Sequence, residues 1–171
     1  MQRFWIINLL LFQLSWFLSA IYTDKVWWLL LSIMLVHFVL SPTPKQDLKL
    51  LILVPIGIAV DKVLIEVEIF ETTAEIFPLW LFVVWCMFII SFNHSLKWLM
   101  SLPLGLVAII GAIGGPLSYR LGAELGALQW GRGEINALLV LAFIWGLLLP
   151  CLVIGYRHLN VQFKLAKRGS L

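Results

Sequence analysis

The chain of 171 residues is 62% hydrophobic and 12% charged, with a mean hydropathy of +1.01. A soluble domain carries about 45–50% apolar and about 25% charged residues, so a water-soluble globule is excluded, and the 9 Trp, 11 Phe and 3 Tyr exclude a disordered chain. The net charge of +3 does not point to nucleic acid, because the 12 Lys and Arg form no dense run before the tail; on a membrane protein they report topology instead.

A membrane-crossing helix needs about 20 apolar residues. The first such run covers residues 4–22, between Arg3 and Thr23-Asp24-Lys25. Arg3 ahead of an apolar stretch ending Leu18-Ser19-Ala20 resembles a signal peptide. Its length, the polar Asn8 and Gln13 inside it, and the hydrophobic stretch that follows at once predict an uncleaved first helix. Asn8, Ser15 and Ser19 share one stripe with Phe12, the pattern of a helix-packing face, whereas Gln13 and Trp16 occupy another.

The second run, residues 26–40, opens on Trp27 and Trp28 and stops at Pro42 and Pro44. The third covers 48–66 and holds Pro55 and Gly57. An acidic stretch with Glu66, Glu68, Glu71 and Glu75 leads to the fourth, residues 77–92. After Asn93-His94-Ser95-Leu96-Lys97, the fifth covers 98–113. The last covers 135–156, before a basic tail with Arg157, His158, Lys164, Lys167 and Arg168. Between these two, Gly114-Gly115-Pro116 predicts a helix break, with Pro116 in the first turn of an interfacial or re-entrant helix over about 116–130. Gly122 and Gly126, with Ala123 and Ala127, form a small-residue face there.

The predicted fold is therefore an all-α polytopic membrane helix bundle, a single domain over 1–171 with about six transmembrane helices plus the Gly-Gly-Pro-started helix. A closed barrel is excluded because the runs are apolar on every side instead of alternating. Charge placement sets the orientation. With both termini cytoplasmic, Arg3, Lys45, Lys49, Lys97, Arg157, Lys164, Lys167 and Arg168 lie inside, and Lys25, Lys62, Arg120 and Arg132 lie outside. That bias fits the positive-inside rule; a seventh span through Leu117 to Trp130 would move the basic tail outside.

A charge at mid-membrane costs about 2.5–3.5 kcal/mol, so the intramembrane polar residues are the candidate site. Asp61 lies about 20 Å beyond Leu48 along a helix, with Lys62 and Glu66 placed to pair on another face. Asp61 is the candidate acid/base or hydrogen-bond acceptor. Gly114 and Gly115 free the backbone at a helix start that favours anions. Tyr119 and Arg120, one turn on, are the head-group donors, and Arg120 can also pair with Glu124. Glu66 and Gln13 complete the candidate binding set. Cys86 and Cys151 both fall in apolar runs and read as packing residues. No metal and no cofactor are expected: His37 reads as a packing histidine, and the spacing of His37, His94 and His158 matches no zinc pattern.

Asn8, Gln13 and Trp16, the Pro78-x-Trp80 and Trp85 cluster, and above all Gly114-Gly115-Pro116-Leu117-x-Tyr119 give the whole chain a resemblance. It resembles the bacterial inner-membrane proteins catalogued as domain of unknown function 2878. The resemblance transfers no catalytic residue. It implies a lipid-related role by association, since members are found near lipid-modifying enzymes of the cyclopropane-fatty-acid synthase type. Three functions follow as expectations. The first is a small enzyme or accessory protein of membrane lipid or fatty-acyl metabolism in the inner membrane, with membrane lipids and a lipid-modifying enzyme or other membrane subunit as partners. The second is a small transporter with a polar path through Asp61. The third is a structural subunit docking a helix on the Gly122/Gly126 face.

Overall fold

The computed structural model describes residues 3–74 and 77–168, with side chains up to residue 160. Glu75 and the side chains of Lys164, Lys167 and Arg168 therefore lie outside the described residues. Helix α1 (Phe4–Tyr22) is followed by a 3-10 turn and α2 (Trp27–Leu40). Next come α3 (Pro44–Leu50), a second 3-10 turn and α4 (Val54–Glu66). A two-residue strand β1 (Phe70–Glu71) precedes α5 (Leu79–Ser91), and α6 (Leu104–Glu124), β2 (Gln129–Trp130) and α7 (Glu134–Arg168) complete the order. The protein is all-helical apart from the antiparallel pairing of β1 with β2, Phe70 opposite Trp130.

Helix α5 is the hub. It is apolar all round, the pattern of a helix held in a core or a membrane; Trp80, Leu81, Val83, Trp85, Cys86, Met87, Ile89 and Ile90 are all buried, and Leu79 and Phe82 are exposed. Helices α1, α2 and α4 pack on it, while α6 and α7 form a close antiparallel pair. Its first turn is held by a distant cap: the Asp24 carboxylate accepts the Trp80 backbone N–H at 3.0 Å, satisfying a donor that a helix start leaves bare.

The outer surface is as oily as the core. Along α7, Ile135, Leu139, Phe143 and Leu147 form an exposed stripe, opposite the buried Ala137, Leu141, Leu148 and Leu152. A helix apolar on both its packed and its open face belongs in a lipid medium. Among the described residues three stretches are long and apolar enough to cross a membrane: Phe4–Leu40, Leu104–Glu124 and Glu134–Asn160. The expected count of about six is not supported, for a reason of length. Helices α4 and α5 have 13 residues each, about 20 Å at 1.5 Å per residue, against a hydrocarbon layer of about 30 Å. The first stretch is also doubled back: the ring of Phe4, at the start of α1, lies 5.5 Å from that of His37 near the end of α2.

The predicted break at Gly114-Gly115 is absent. One helix, α6, runs from Leu104 to Glu124 with Pro116 inside it, so neither a span over 98–113 nor a separate helix over 116–130 forms. Proline removes one hydrogen bond, but a full break would bare several peptide groups in apolar surroundings, where each costs far more. Residues before Pro103 instead turn, and Arg157 of α7 clamps that turn, donating to the carbonyls of Met100 (3.0 Å) and Leu102 (2.6 Å).

The Gly122/Gly126 docking face also resolves differently. Gly126 has φ +93°, and the bonds Gly126 N–H to Ala123 and Ala127 N–H to Gly122 end α6 as a Schellman cap. Helix α4 ends the same way at Glu68, with φ +59°, which brings the two loops together as β1 and β2. The expected packing stripe on α1 is present: Asn8, Ser15 and Ser19 are all buried. Cys86 packs in the core, whereas Cys151 faces outward.

These contacts generate a prediction from two adjacent residues of α6. A Cβ on Gly115 would run into the indole of Trp145, whereas one on Gly114 meets nothing within 4 Å. Gly115→Ala should lower stability by about 1–3 kcal/mol, and Gly114→Ala should raise it by about 0.5–1 kcal/mol, read as thermal or denaturant unfolding in detergent. Equal effects would contradict a helix that runs unbroken through both.

Candidate functional site

Asp61 is fully buried between α4, α5 and α6. Its Oδ2 accepts the Trp85 indole N–H at 2.6 Å, and its Oδ1 accepts the hydroxyl of Tyr119. Two glycines make this possible. Gly57, one turn before Asp61, leaves room for the Trp85 ring, which a Cβ would strike; Gly115, one turn before Tyr119, does the same for Trp145. The two indoles stack on each other, centroids 5.5 Å apart and planes 8° from parallel. The order across the bundle is therefore Gly57, Trp85, Trp145, Gly115, with the Asp61–Tyr119 bond bridging the same helices one turn along.

Beside this stack lies a cavity of about 490 Å³ between α1, α5, α6 and α7. Its wall includes Phe12, Trp16, Trp85, Phe88, Tyr119 and Trp145, and the Trp16 indole donates to Ser118 Oγ at 3.1 Å. Exposed Gln13, Phe17, Leu117 and Leu121 rim it on the outward surfaces of α1 and α6. Asp61 is not part of the wall; Tyr119 stands between it and the cavity. Among the described residues the buried Trp145 indole N–H has no well-aligned acceptor.

The structure thus unites Asp61, Tyr119 and Gly115, and places Gly114 and Gln13 on the cavity. It leaves Arg120 and Glu66 out. Residues 119 and 120 are about 100° apart on a helix, so with Tyr119 inside, Arg120 faces outward, paired with Glu124 at 3.2 Å and Glu134 at 3.1 Å. Glu66 is exposed and lies 3.9 Å from Lys62, as their spacing predicts. Trp85, Trp145 and Gly57 are members the sequence reading missed; the repeated interval of four, Gly57 to Asp61 and Gly115 to Tyr119, was the available signal.

A second polar centre, unforeseen in the sequence, forms at the other end of α5. Asp47 is fully buried at the start of α3. His37 Nε2 lies 3.2 Å from its Oδ2, and His94 Nε2 lies 3.0 Å from both of its oxygens. Asn93 donates to Oδ1 at 2.7 Å, and Ser41 donates to Oδ2. Burial alone would raise the Asp47 carboxyl; hydrogen bonds from His37, His94, Asn93 and Ser41 outweigh it and hold it well below the usual carboxylate range. Among the described residues the far nitrogen of His37, Nδ1, is buried without a partner, and the Phe4 ring closes over both imidazoles.

Fold and sites together define an all-helical protein with helices long and apolar enough to cross a membrane and an apolar cavity open to its outer surface. The sequence model of a family described as a protein of unknown function (DUF2878) matches residues 5–151, and the chain belongs to that family. No curated protein and no solved structure matches it significantly.

Removing either partner of the Asp61–Tyr119 bond strands a buried polar group, which costs about 1–3 kcal/mol. Tyr119→Phe and Asp61→Leu should each destabilise by about that amount, and the double variant should cost clearly less than their sum. Unfolding of the four proteins in detergent checks this, and strict additivity would deny the bond.

Proposed function

We propose that this is a multi-pass protein of the bacterial inner membrane that takes an acyl-chain-bearing molecule into the cavity beside Tyr119 and serves membrane lipid or fatty-acyl metabolism, as an enzyme or an accessory protein. The observation that carries the reading is the cavity: about 490 Å³, within the about 300–1,000 Å³ range of small-molecule sites. It is lined by aromatic and aliphatic side chains and rimmed by residues that face lipid. An apolar chain gains by entering from the bilayer side, and a carbonyl or hydroxyl on it can meet the Trp145 N–H and the Tyr119 hydroxyl. Asp61 then acts as a positioning residue that fixes Tyr119. A polar ion path draws no support, because both Asp61 oxygens are engaged and Lys62 and Glu66 face outward.

Two measurements test this. Protein extracted under mild conditions should retain an acyl-bearing molecule by native mass spectrometry, and Gly114→Phe, which fills the cavity, should abolish retention while the protein stays folded. Total lipid extracts of a deletion strain should differ from those of the complemented strain, with Tyr119→Phe behaving like the deletion. Unchanged lipids with folded, ligand-free protein would remove the proposal.

The topology we propose keeps both termini cytoplasmic, with the shorter helices completing six limbs that alternate in direction. Contacts at the two ends support it. Phe4, His37, Asp47 and His94 meet at one end. Asp24 meets Trp80, and β1 meets β2, at the other. A fluorescent reporter fused to the C-terminus should glow and a periplasm-dependent phosphatase fused there should be silent; the reverse pattern contradicts this topology.

A further inference from the structure

We infer that His37, Asp47 and His94 form a binding site for a divalent transition-metal ion of the zinc class. Among the described residues these three offer ligand atoms that all lie within 4.8 Å of one another. They come from different elements: His37 from α2, Asp47 from α3 and His94 from the turn after α5. Both Nε2 atoms are directed at a single carboxylate, 3.0–3.2 Å from its oxygens. Ligands about 2.0–2.1 Å from a tetrahedral zinc ion sit about 3.3 Å apart; the His–Asp separations of 3.0–3.2 Å are within a few tenths of an ångström of that, and all three ligand atoms fall within 4.8 Å of one another. Two imidazoles and one carboxylate suit Zn²⁺, Fe²⁺ or Co²⁺ better than Mg²⁺ or Ca²⁺, which favour all-oxygen sites.

The surroundings are those of a supported ligand set. Asn93 and Ser41 each donate to an Asp47 oxygen, fixing the carboxylate as outer partners do in metal sites. Phe4 closes one side, its ring centroid 4.8 Å from that of His94 and 5.5 Å from that of His37. Access remains on another, where His94 borders an open pocket with Trp5, Leu9, Ser95, Leu96 and Trp98. Three protein ligands leave a fourth position for water or a ligand oxygen, the composition of reactive zinc sites more than of closed structural ones. To hold the ion, each neutral imidazole presents Nε2 without a proton and carries its single ring proton on Nδ1.

The test uses the whole chain, purified in detergent through a histidine-free tag and treated with chelator, with Co²⁺ and then Zn²⁺ as probes. Wild-type protein should take up one Co²⁺ per chain with visible d–d bands and no sulfur charge-transfer band. Zn²⁺ should displace the Co²⁺, and the thermal midpoint should rise with Zn²⁺ concentration. His94→Asn and Asp47→Asn should each weaken Zn²⁺ binding at least tenfold, roughly the lower end of the effect of losing a single outer partner. Asn93→Ala should weaken it by about 10–100-fold while keeping one ion per chain, and His158→Asn should leave it unchanged. Should the ligand variants fail to fold, the wild-type stoichiometry, spectrum and midpoint shift decide alone. Folded wild-type protein that binds neither ion, binding that survives loss of both His37 and His94, or a sulfur band implicating Cys86 or Cys151 would each overturn the site.

Discussion

Two indole rings pressed between two glycines hold the centre of this bundle. Trp85 and Trp145 stack, Gly57 backs one and Gly115 backs the other, so two indole rings space α4, α5, α6 and α7 at one level. A flat, rigid spacer of that kind fixes helix positions more sharply than flexible aliphatic packing does, and close-packed interiors transmit any change in it. The Asp61–Tyr119 bond depends on this spacing, because its two residues stand one turn beyond the glycines on α4 and α6 and meet only if those helices keep their distance. The cavity depends on it as well, since Trp85 and Trp145 form part of its wall.

Much of the architecture was legible in the sequence, and the departures have physical reasons. Composition gave the helical membrane class, because no soluble core could hide so much apolar surface. Helical spacing gave the buried stripe of Asn8, Ser15 and Ser19, and the outward pairs Lys62–Glu66 and Arg120–Glu124. Gly114-Gly115-Pro116 misled because local propensity describes a chain in water. In apolar surroundings the cost of bare peptide groups overrides it and the helix continues. Run length misled too: most of α5 is apolar because it packs against other helices, and hydropathy alone does not tell protein-facing from lipid-facing oil.

The site was half legible for the same reason. Asp61 announced itself as a carboxylate in an oily run, and Tyr119 lay in the most distinctive motif. Trp85 and Trp145 did not, because tryptophan is ordinary in a membrane chain and only tertiary structure shows which ones stack. Arg120 was misplaced by treating neighbours in sequence as neighbours in space, although adjacent positions on a helix point different ways. His37, Asp47 and His94 sit 10 and 47 residues apart; no local pattern links them, and only the return of α2 and α5 to the same end of the bundle does.

The two buried carboxylates show how the fold keeps charge in an oily body. Asp61 is held by Trp85 and Tyr119 and Asp47 by Asn93, Ser41, His37 and His94, while Lys62 and Arg120 pair at the surface and Arg157 binds backbone carbonyls. A buried ion pair carries a large desolvation cost for two ions, and at Asp61 the chain avoids it by offering neutral donors. Asp61 receives an indole and a phenol, which leave a compact group behind an aromatic wall, with both oxygens satisfied. Asp47 receives an amide, a hydroxyl and two imidazoles, and that difference is chemical. An indole N–H has no lone pair to offer, whereas an imidazole nitrogen can exchange its proton for an ion. The donors at Asp61 therefore lock a side chain in place, while those at Asp47 retain the capacity to change what they hold.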